Sequence, residues 1–198
     1  MSTDQEIRAV LETALAPLGV VVEDVSVSPA GKRRLVRVLV DRDISDLEPS
    51  DGTSRVTALT LDDVADASRA VDVVLEEGDV MGSTPYVLEV SSPGVGRALT
   101  SRDQFRRQVG RLVEVRHPGG TDTGRLLEVG SDHLELEVPP TKKTASRRVT
   151  VAVSDVERGT VQVEFTHHES STDGRDAHDP SVDHAPADAD ASATEEDH

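Results

Sequence analysis

The hydrophobic periodicity of this chain changes at one segment, Ser-Ser-Pro-Gly-Val-Gly-Arg at residues 91–97. Before this segment, apolar stripes with the spacing of helices alternate with Val-rich runs that are typical of strands. After it, apart from one short helical stretch, apolar residues recur at every second position in short runs, which is the period of a strand. This change predicts two successive domains, the first α+β and the second built from strands.

Five elements are predicted before the segment. Local signals mark their ends: a Thr-Asp-Gln-Glu capping box at residues 3–6, a Ser-Pro-Ala-Gly turn at 28–31, and Thr60 before acidic residues that oppose the helix dipole. Residues 44–58 are polar and contain Pro and Gly, so we expect a flexible loop there. The predicted elements are a helix over residues 3–18, strands over 20–27 and 33–41, a helix over 61–77 and a strand over 86–90. This order is an αββαβ layer with both helices on one sheet face.

The second part of the chain predicts a small β-barrel. Ser101 and Gln104 can cap a short helix that carries Phe105 and Val109, and Gly110 would end it. Five short alternating runs with tight turns between several of them favour a closed barrel. The runs cover residues 112–116, 123–129, 133–138, 147–153 and 160–165. We therefore predict an α+β domain at residues 1–94, a barrel domain at 95–166 and a tail at 167–198.

Charge is distributed unevenly along the chain, whose formal net charge is −17. Residues 167–198 hold ten acidic residues against one Arg and have almost nothing apolar to bury. We expect this tail to be disordered, because ordering the backbone costs about 1–2 kcal/mol per residue. Residues 97–125, in contrast, hold seven Arg against three acidic residues. The mean charge bears on solubility, whereas the basic segment predicts an anionic partner.

The residue types exclude several kinds of site. The chain has no Cys, so it has no disulfides, thiolate metal ligands or thiol nucleophiles. Its polar first twelve residues and the lack of a long apolar run predict a soluble, cytoplasmic protein without a signal peptide or membrane helix. We predict no catalytic group, cofactor or metal site. Adjacent carboxylates such as Asp62 and Asp63 suit a helix cap, and the spacing of the His residues in the tail fits no compact metal site.

Four segments of the chain have a distinctive sequence. Residues 86–99 read Tyr-Val-Leu-Glu-Val-Ser-Ser-Pro-Gly-Val-Gly-Arg-Ala-Leu, and shorter matching stretches lie at 35–41, 61–69 and 105–110. Together, and in a consistent order, these segments resemble the RimP family, with residues 86–99 similar to its signature. The chain departs from the family pattern at Gly96 and Ala98, where an acidic residue and Pro are usual. It also departs in its long 44–58 loop and its acidic tail.

The resemblance implies a fold and a function. It implies an N-terminal α+β domain followed by an SH3-like barrel of the Sm-like kind. It also implies a non-catalytic maturation factor that binds immature small (30S) ribosomal subunits. The implied partners are the small-subunit rRNA and protein twelve of that subunit, with no membrane and no small-molecule substrate. We expect a monomer, because the sequence has no additional apolar stripe.

The expected binding residues lie in the signature and among the basic residues. The turn at 91–97 could present backbone N–H groups, two hydroxyls and an Arg to a phosphate or a protein loop; alternatively, it is a hinge that only fixes the chain path. Arg suits phosphate because its guanidinium can donate two hydrogen bonds at once, although each basic group could instead be a solvated surface. Lys32, Arg33 and Arg34 allow the same two interpretations. The predicted ribosome-binding residues are Ser91, Ser92, Pro93, Gly94, Arg97, Arg102, Arg106, Arg107, Arg147 and Arg148.

Aromatic content indicates how RNA would be recognised. The only aromatic residues are Tyr86, Phe105 and Phe165, which we expect in hydrophobic cores. A platform for base stacking is therefore not predicted, and RNA would be bound through its backbone and shape. Two other functions stay open at this point. One is a protein-interaction module that binds a ribosomal protein with incidental RNA contact, and the other is a small enzyme that uses the Ser-Ser-Pro-Gly turn as an anion cradle.

Overall fold

The computed structural model describes residues 3–78, 81–82, 84–142 and 144–164, and the predicted disordered tail lies outside them. The described chain is a mixed α+β protein with three α-helices and two sheets. The helices are α1 (Thr3–Leu15), α2 (Leu61–Glu77) and α3 (Arg102–Arg106). The strands are β1 (Val20–Ala30), β2 (Arg33–Arg42), β3 (Tyr86–Ser91), β4 (Ala98–Leu99), β5 (Leu112–His117), β6 (Gly120–Val129), β7 (His133–Val138), β8 (Arg147–Ala152) and β9 (Arg158–Val161).

The first sheet has the strand order β1-β2-β3. Strands β1 and β2 form an antiparallel hairpin, and β3 runs parallel to β2 after the crossover through α2. Alternation along β2 directs Val36, Val38 and Val40 into a core formed with α1 and α2, where all three are fully buried. The αββαβ layer predicted from the sequence is confirmed in this part of the chain.

The second sheet has six antiparallel strands in the order β4-β9-β5-β6-β7-β8. Its pairing ends at β4 and β8, so the predicted closed barrel is not confirmed. Four of the five predicted strands are present close to their predicted bounds, whereas the fifth, predicted over 160–165, is β9 at Arg158–Val161, and residue 165 lies outside the described residues. These strands have a hydrophobic core of their own that surrounds the fully buried Phe105. The sequence did not predict β4, because two residues are too few to show a period. The domain boundary after residue 94 stays a prediction.

The capping signals at Thr60 and Ser101 form as the sequence predicts. The Thr60 hydroxyl accepts a hydrogen bond from the Asp63 N–H, and the Asp63 carboxylate accepts one from the Thr60 N–H. Ser101 and Gln104 make the same reciprocal pair at the start of α3. Gly110, with a φ of 86°, adopts the left-handed conformation just beyond α3. These contacts fix the position of α3 in the chain.

Hydrogen bonds hold the loop between β2 and α2 in place, whereas the sequence predicts a flexible loop there. The Val129 N–H donates a hydrogen bond of 2.9 Å to the Gly52 carbonyl oxygen. A Cβ atom added at Gly52 would lie 2.7 Å from the Val129 oxygen, so only Gly permits this approach. The Asp51 carboxylate accepts hydrogen bonds from the N–H groups of Thr53 and Ser54. The loop therefore lies directly against the six-stranded sheet.

Candidate functional site

The signature turn, residues 91–97, connects the end of β3 to β4. Its Arg97 N–H donates to the Gly94 carbonyl oxygen at 3.1 Å, which closes a tight turn. Ser91, Ser92 and Gly94 are exposed, and Pro93 is half-buried. A Cβ atom added at Gly94 would meet nothing within 4 Å, so internal packing does not require Gly there. The turn is an open surface with two hydroxyl groups, available to another molecule.

Arg106 lies inside the protein. Its side chain is only 2% exposed, and it donates from Nε to the Asp51 carbonyl oxygen at 2.8 Å and from Nη1 to the Ser54 carbonyl oxygen. Its Nη2 lies 3.3 Å from a carboxylate oxygen of Asp51, too poorly aligned for a hydrogen bond. The sequence predicts a phosphate contact for Arg106. In the folded chain its guanidinium fastens the loop after β2 and has no access to solvent.

Arg107 is also used internally. Its Nη1 lies 2.5 Å from Glu23 Oε1, and its Nε donates to the Arg42 carbonyl oxygen at 2.7 Å. The other oxygen of Glu23 accepts from Gln104 Nε2 at 2.9 Å. Glu23 is free for these contacts because a β-bulge shifts the β1–β2 register between Val22 and Asp24. We call the contacts of Gln104, Arg106 and Arg107 the α3 clasp; both arginines are used inside the fold and not at its surface.

Two predicted arginines beside the turn stay partly accessible. The Arg97 side chain is 27% exposed, and its nearest carboxylate oxygen, on Asp24, is 4.0 Å away. Arg102 is 31% exposed and donates from Nε to the Gly130 carbonyl oxygen at 2.8 Å, with Asp103 at 3.4 Å from its Nη1. Arg102 also donates from Nη2 to the Pro49 carbonyl oxygen at 3.5 Å, so each of its guanidinium nitrogens has a partner, whereas the Arg97 side chain makes no hydrogen bond within the described residues.

The remaining predicted residues, Arg147 and Arg148, lie on β8. In the strand order of the sheet, β8 is at the opposite end from β4. Arg147 pairs with Asp122, and Arg148 Nη1 lies 2.8 Å from Glu135 Oε1. The structure therefore does not bring these two arginines together with the signature turn through strand pairing.

The sequence analysis missed one basic side chain beside the turn, Arg55. A cleft of about 250 Å³ runs between the loop after β2, the turn and the segment after α3. Its lining includes Arg55, Ser92 and Arg111. Within the described residues the Arg55 side chain has no hydrogen bond or ion pair, and the Arg111 side chain hydrogen-bonds only with Gln108 Oε1, at 3.0 Å. Periodicity could not identify Arg55, because it lies in an irregular loop.

One carboxylate, Asp41, also lines the cleft. Burial raises its pKa above the ordinary value, although the Arg42 N–H, which donates to Asp41 Oδ1 at 2.8 Å, and the nearby Arg107 oppose this change. The cleft thus combines cationic groups and a hydroxyl with one carboxylate whose charged form is disfavoured. Such a lining suits an anionic ligand such as a phosphodiester.

Two further findings concern other kinds of site. Within the described ranges, no helix is long and apolar enough to cross a membrane. The same residues place no group of three or more His, Asp or Glu side chains where they could hold a metal ion. The predicted His-containing tail lies outside the described residues.

Comparison with known proteins gives consistent matches. Residues 10–96 match the family profile of the RimP N-terminal domain. The chain is similar to a protein of Frankia casuarinae (39% identity over 170 residues) and to one of Parafrankia sp. (38% over 187 residues). It is also similar to a protein of Kineococcus radiotolerans (43% over 152 residues). Each of the three is named ribosome maturation factor RimP.

These alignments cover most of this chain and less of the relatives. They span 81%, 81% and 72% of this chain, in the order given above. The corresponding shares of the relatives are 59%, 56% and 69%. The chain therefore spans little more than half the length of the first two relatives.

Proposed function

The chain belongs to the RimP family, and on that premise we propose that it is a ribosome maturation factor for the small (30S) subunit. It acts by binding immature subunits in the cytoplasm, as a monomer and without catalysing a reaction. Its partners in this proposal are the small-subunit rRNA and protein twelve of that subunit. The names of the relatives support the maturation role.

The observation that carries this proposal is the open signature turn beside the cleft. The turn offers Ser91 and Ser92 to solvent; Arg111 lines the cleft, and Arg97 and Arg111 line a smaller hollow that shares Asp41 and Pro93 with it. Phosphate contacts position an RNA-binding protein and need only such donors, without aromatic platforms. We assign the primary RNA contact to this surface, with Arg102 beside it and Arg147 and Arg148 as a separate group on β8.

The six-stranded sheet supports an assignment of the second domain to the SH3-like barrels. Its strands are short, antiparallel and mostly joined in sequence order, with a single apolar core. These are features of SH3-like barrels of the Sm-like kind, and we propose that residues 95–166 belong to that class. An experimental structure of the whole chain tests the assignment. Hydrogen bonds between β8 and β4 would close the barrel, whereas their absence would leave both as edge strands and contradict the assignment.

The proposed function is tested by co-sedimentation of the protein with immature and mature small subunits in a salt series. We expect preferential binding to immature particles that weakens with salt. The double variant Arg97→Gln/Arg111→Gln should lower the slope of log affinity against log salt by about 1.4–1.8, because each lost phosphate contact contributes about 0.7–0.9. Equal binding to immature and mature particles would contradict a role in maturation.

A matched control separates position from total charge. Arg69→Gln/Arg116→Gln removes the same two charges from exposed ion pairs, with Asp66 and Glu157, outside the cleft. This control should keep the wild-type slope. If both double variants lower the slope equally, the effect belongs to net charge, and the assignment of the turn and cleft is wrong.

A second candidate function, docking of a ribosomal-protein strand, is favoured by β3. This strand is at the end of the three-stranded order, so the backbone groups on its outer side have no partner strand among the described residues. Val87 on β3 is 41% exposed. An extended peptide could add to such an edge. Binding to purified small-subunit proteins, with no binding to protein-free rRNA, would favour this function over the first.

A further inference from the structure

The tip of the β1–β2 hairpin carries three consecutive cationic residues. Ala30 pairs with Arg33 at the end of the ladder, and Gly31 and Lys32 form the turn between the strands. Gly31 has a φ of 65°, which permits so tight a reversal. Lys32 and Arg33 are exposed and Arg34 is half-buried. The hairpin thus projects a compact positive group from a chain with a strongly negative net charge.

These three cations differ from most others in the described chain because their side chains are unpaired. Arg37, on the same strand, lies 2.9 Å from a carboxylate oxygen of Glu89, and Arg69 pairs with Asp66. Within the described part of the molecule, Lys32, Arg33 and Arg34 have neither a hydrogen bond nor an ion pair from their side chains. Their charges are not neutralised by partners in the fold, so they are available to an external anion.

The hairpin tip lies at the opposite end of β2 from the signature turn. Strand β2 places Arg33 six residues from Leu39, the partner of Ser91 where the signature turn begins, which corresponds to about 20 Å at 3.2–3.4 Å per residue. Its far end is held by the α3 clasp, where Arg107 donates to the Arg42 carbonyl oxygen. Strand β3 runs parallel to β2 and leads into the signature turn after Ser91, which pairs with Leu39. One phosphate group therefore cannot contact both surfaces.

We propose that Lys32, Arg33 and Arg34 form a second RNA-binding surface, which contacts phosphates about 20 Å from those bound at the signature turn. The inference rests on the proposed function and adds a second point of attachment to it. Arg side chains recognise phosphates through paired N–H donors, and an exposed Lys adds a third cation. Two separated contacts fix the orientation of the protein on the particle as well as its affinity.

The composition of the tip favours RNA over an acidic protein surface. Protein interfaces depend on large apolar or aromatic anchors that fill pockets. The tip offers none: residues 28–31 are Ser, Pro, Ala and Gly. Phosphate binding needs no such anchor, because counterion release supplies most of its free energy. Cations without apolar neighbours therefore match a nucleic-acid backbone.

The test is a salt series for the variant Lys32→Gln/Arg33→Gln/Arg34→Gln, with immature small subunits and with protein-free small-subunit rRNA. Three lost contacts should lower the log–log salt slope by about 2.1–2.7, which corresponds to about 100- to 500-fold weaker binding at 0.1 M salt. The control Arg37→Gln/Arg69→Gln/Arg116→Gln removes equal charge from paired, exposed arginines and should keep the wild-type slope. The tip variant should unfold at the wild-type temperature, because its side chains have no partners to lose.

Three results would overturn the inference. The first is a tip variant with the wild-type slope on both ligands, and the second is a control that lowers the slope as much as the tip variant. The third is a loss of binding to subunits with unchanged binding to rRNA, which would assign the tip to an acidic protein surface. Failure of the proposed function is a different result: wild-type protein would then not prefer immature subunits, whereas the slopes on rRNA would still test the tip.

Discussion

The buried ion pair between Glu23 and Arg107 gives a prediction with a definite size. Their side chains are 10% and 6% exposed, and the two charged atoms are 2.5 Å apart. The variant Glu23→Gln keeps the shape of the side chain but leaves the buried Arg107 guanidinium without its ion-pair partner. Removing one partner of a buried pair costs about 3–5 kcal/mol. The amide can still accept one hydrogen bond, so we expect a loss near 3 kcal/mol.

The measurement is urea denaturation followed by circular dichroism, with a matched exposed pair as the control. Glu89→Gln removes a carboxylate that lies 2.9 Å from Arg37, but these side chains are about half exposed. Exposed pairs contribute about 0–1 kcal/mol, so the control should lose less than 1 kcal/mol. Because typical domains are stable by about 5–15 kcal/mol, Glu23→Gln should still fold.

A double-mutant cycle separates the pair from its surroundings. The variant Glu23→Gln/Arg107→Gln removes both charges, so it should cost at least about 1 kcal/mol less than the sum of the two single losses. If the losses simply add, or if Glu23→Gln costs no more than Glu89→Gln, then water or another group compensates the charge. In that case the α3 clasp would not hold the structure together in the way described.

Three other predictions concern single positions. Gly52→Ala should destabilise the fold by about 1–3 kcal/mol, because its Cβ would lie 2.7 Å from the Val129 oxygen, whereas Gly94→Ala should change thermal stability by less than about 0.5 kcal/mol. Burial raises the pKa of Asp41, so the folded protein favours the protonated carboxyl group. The stability that this group contributes is fully present below its unfolded-state pKa and is lost as pH rises through its folded-state pKa. Asp41→Asn should therefore unfold at higher urea than wild type at pH 7 and at the same urea near pH 3, and a constant difference at both pH values would contradict this cause. Phe105→Ala should lose about 3–5 kcal/mol in the same urea assay, because its ring is fully buried, and a loss below 1 kcal/mol would show that the core closes around the gap.

The candidate site could be predicted only in part from the sequence. The signature turn and its exposed hydroxyls follow from a local pattern of Ser, Pro and Gly. Arg106 and Arg107 have the same residue type and the same local setting as Arg102, so nothing in their pattern separates a buried arginine from an accessible one. The structure separates them, because their partners Asp51 and Glu23 lie 55 and 84 residues away in the chain.

The sequence by itself determined the features that depend on neighbouring residues. The αββαβ order, the capping boxes at Thr60 and Ser101 and the buried face of β2 all arise from contacts within a few positions or from the strand period. Only the tertiary structure decided which cations face solvent and how the strands of the second sheet are ordered. Those outcomes depend on the free energy of contacts between distant segments, which a local pattern does not encode.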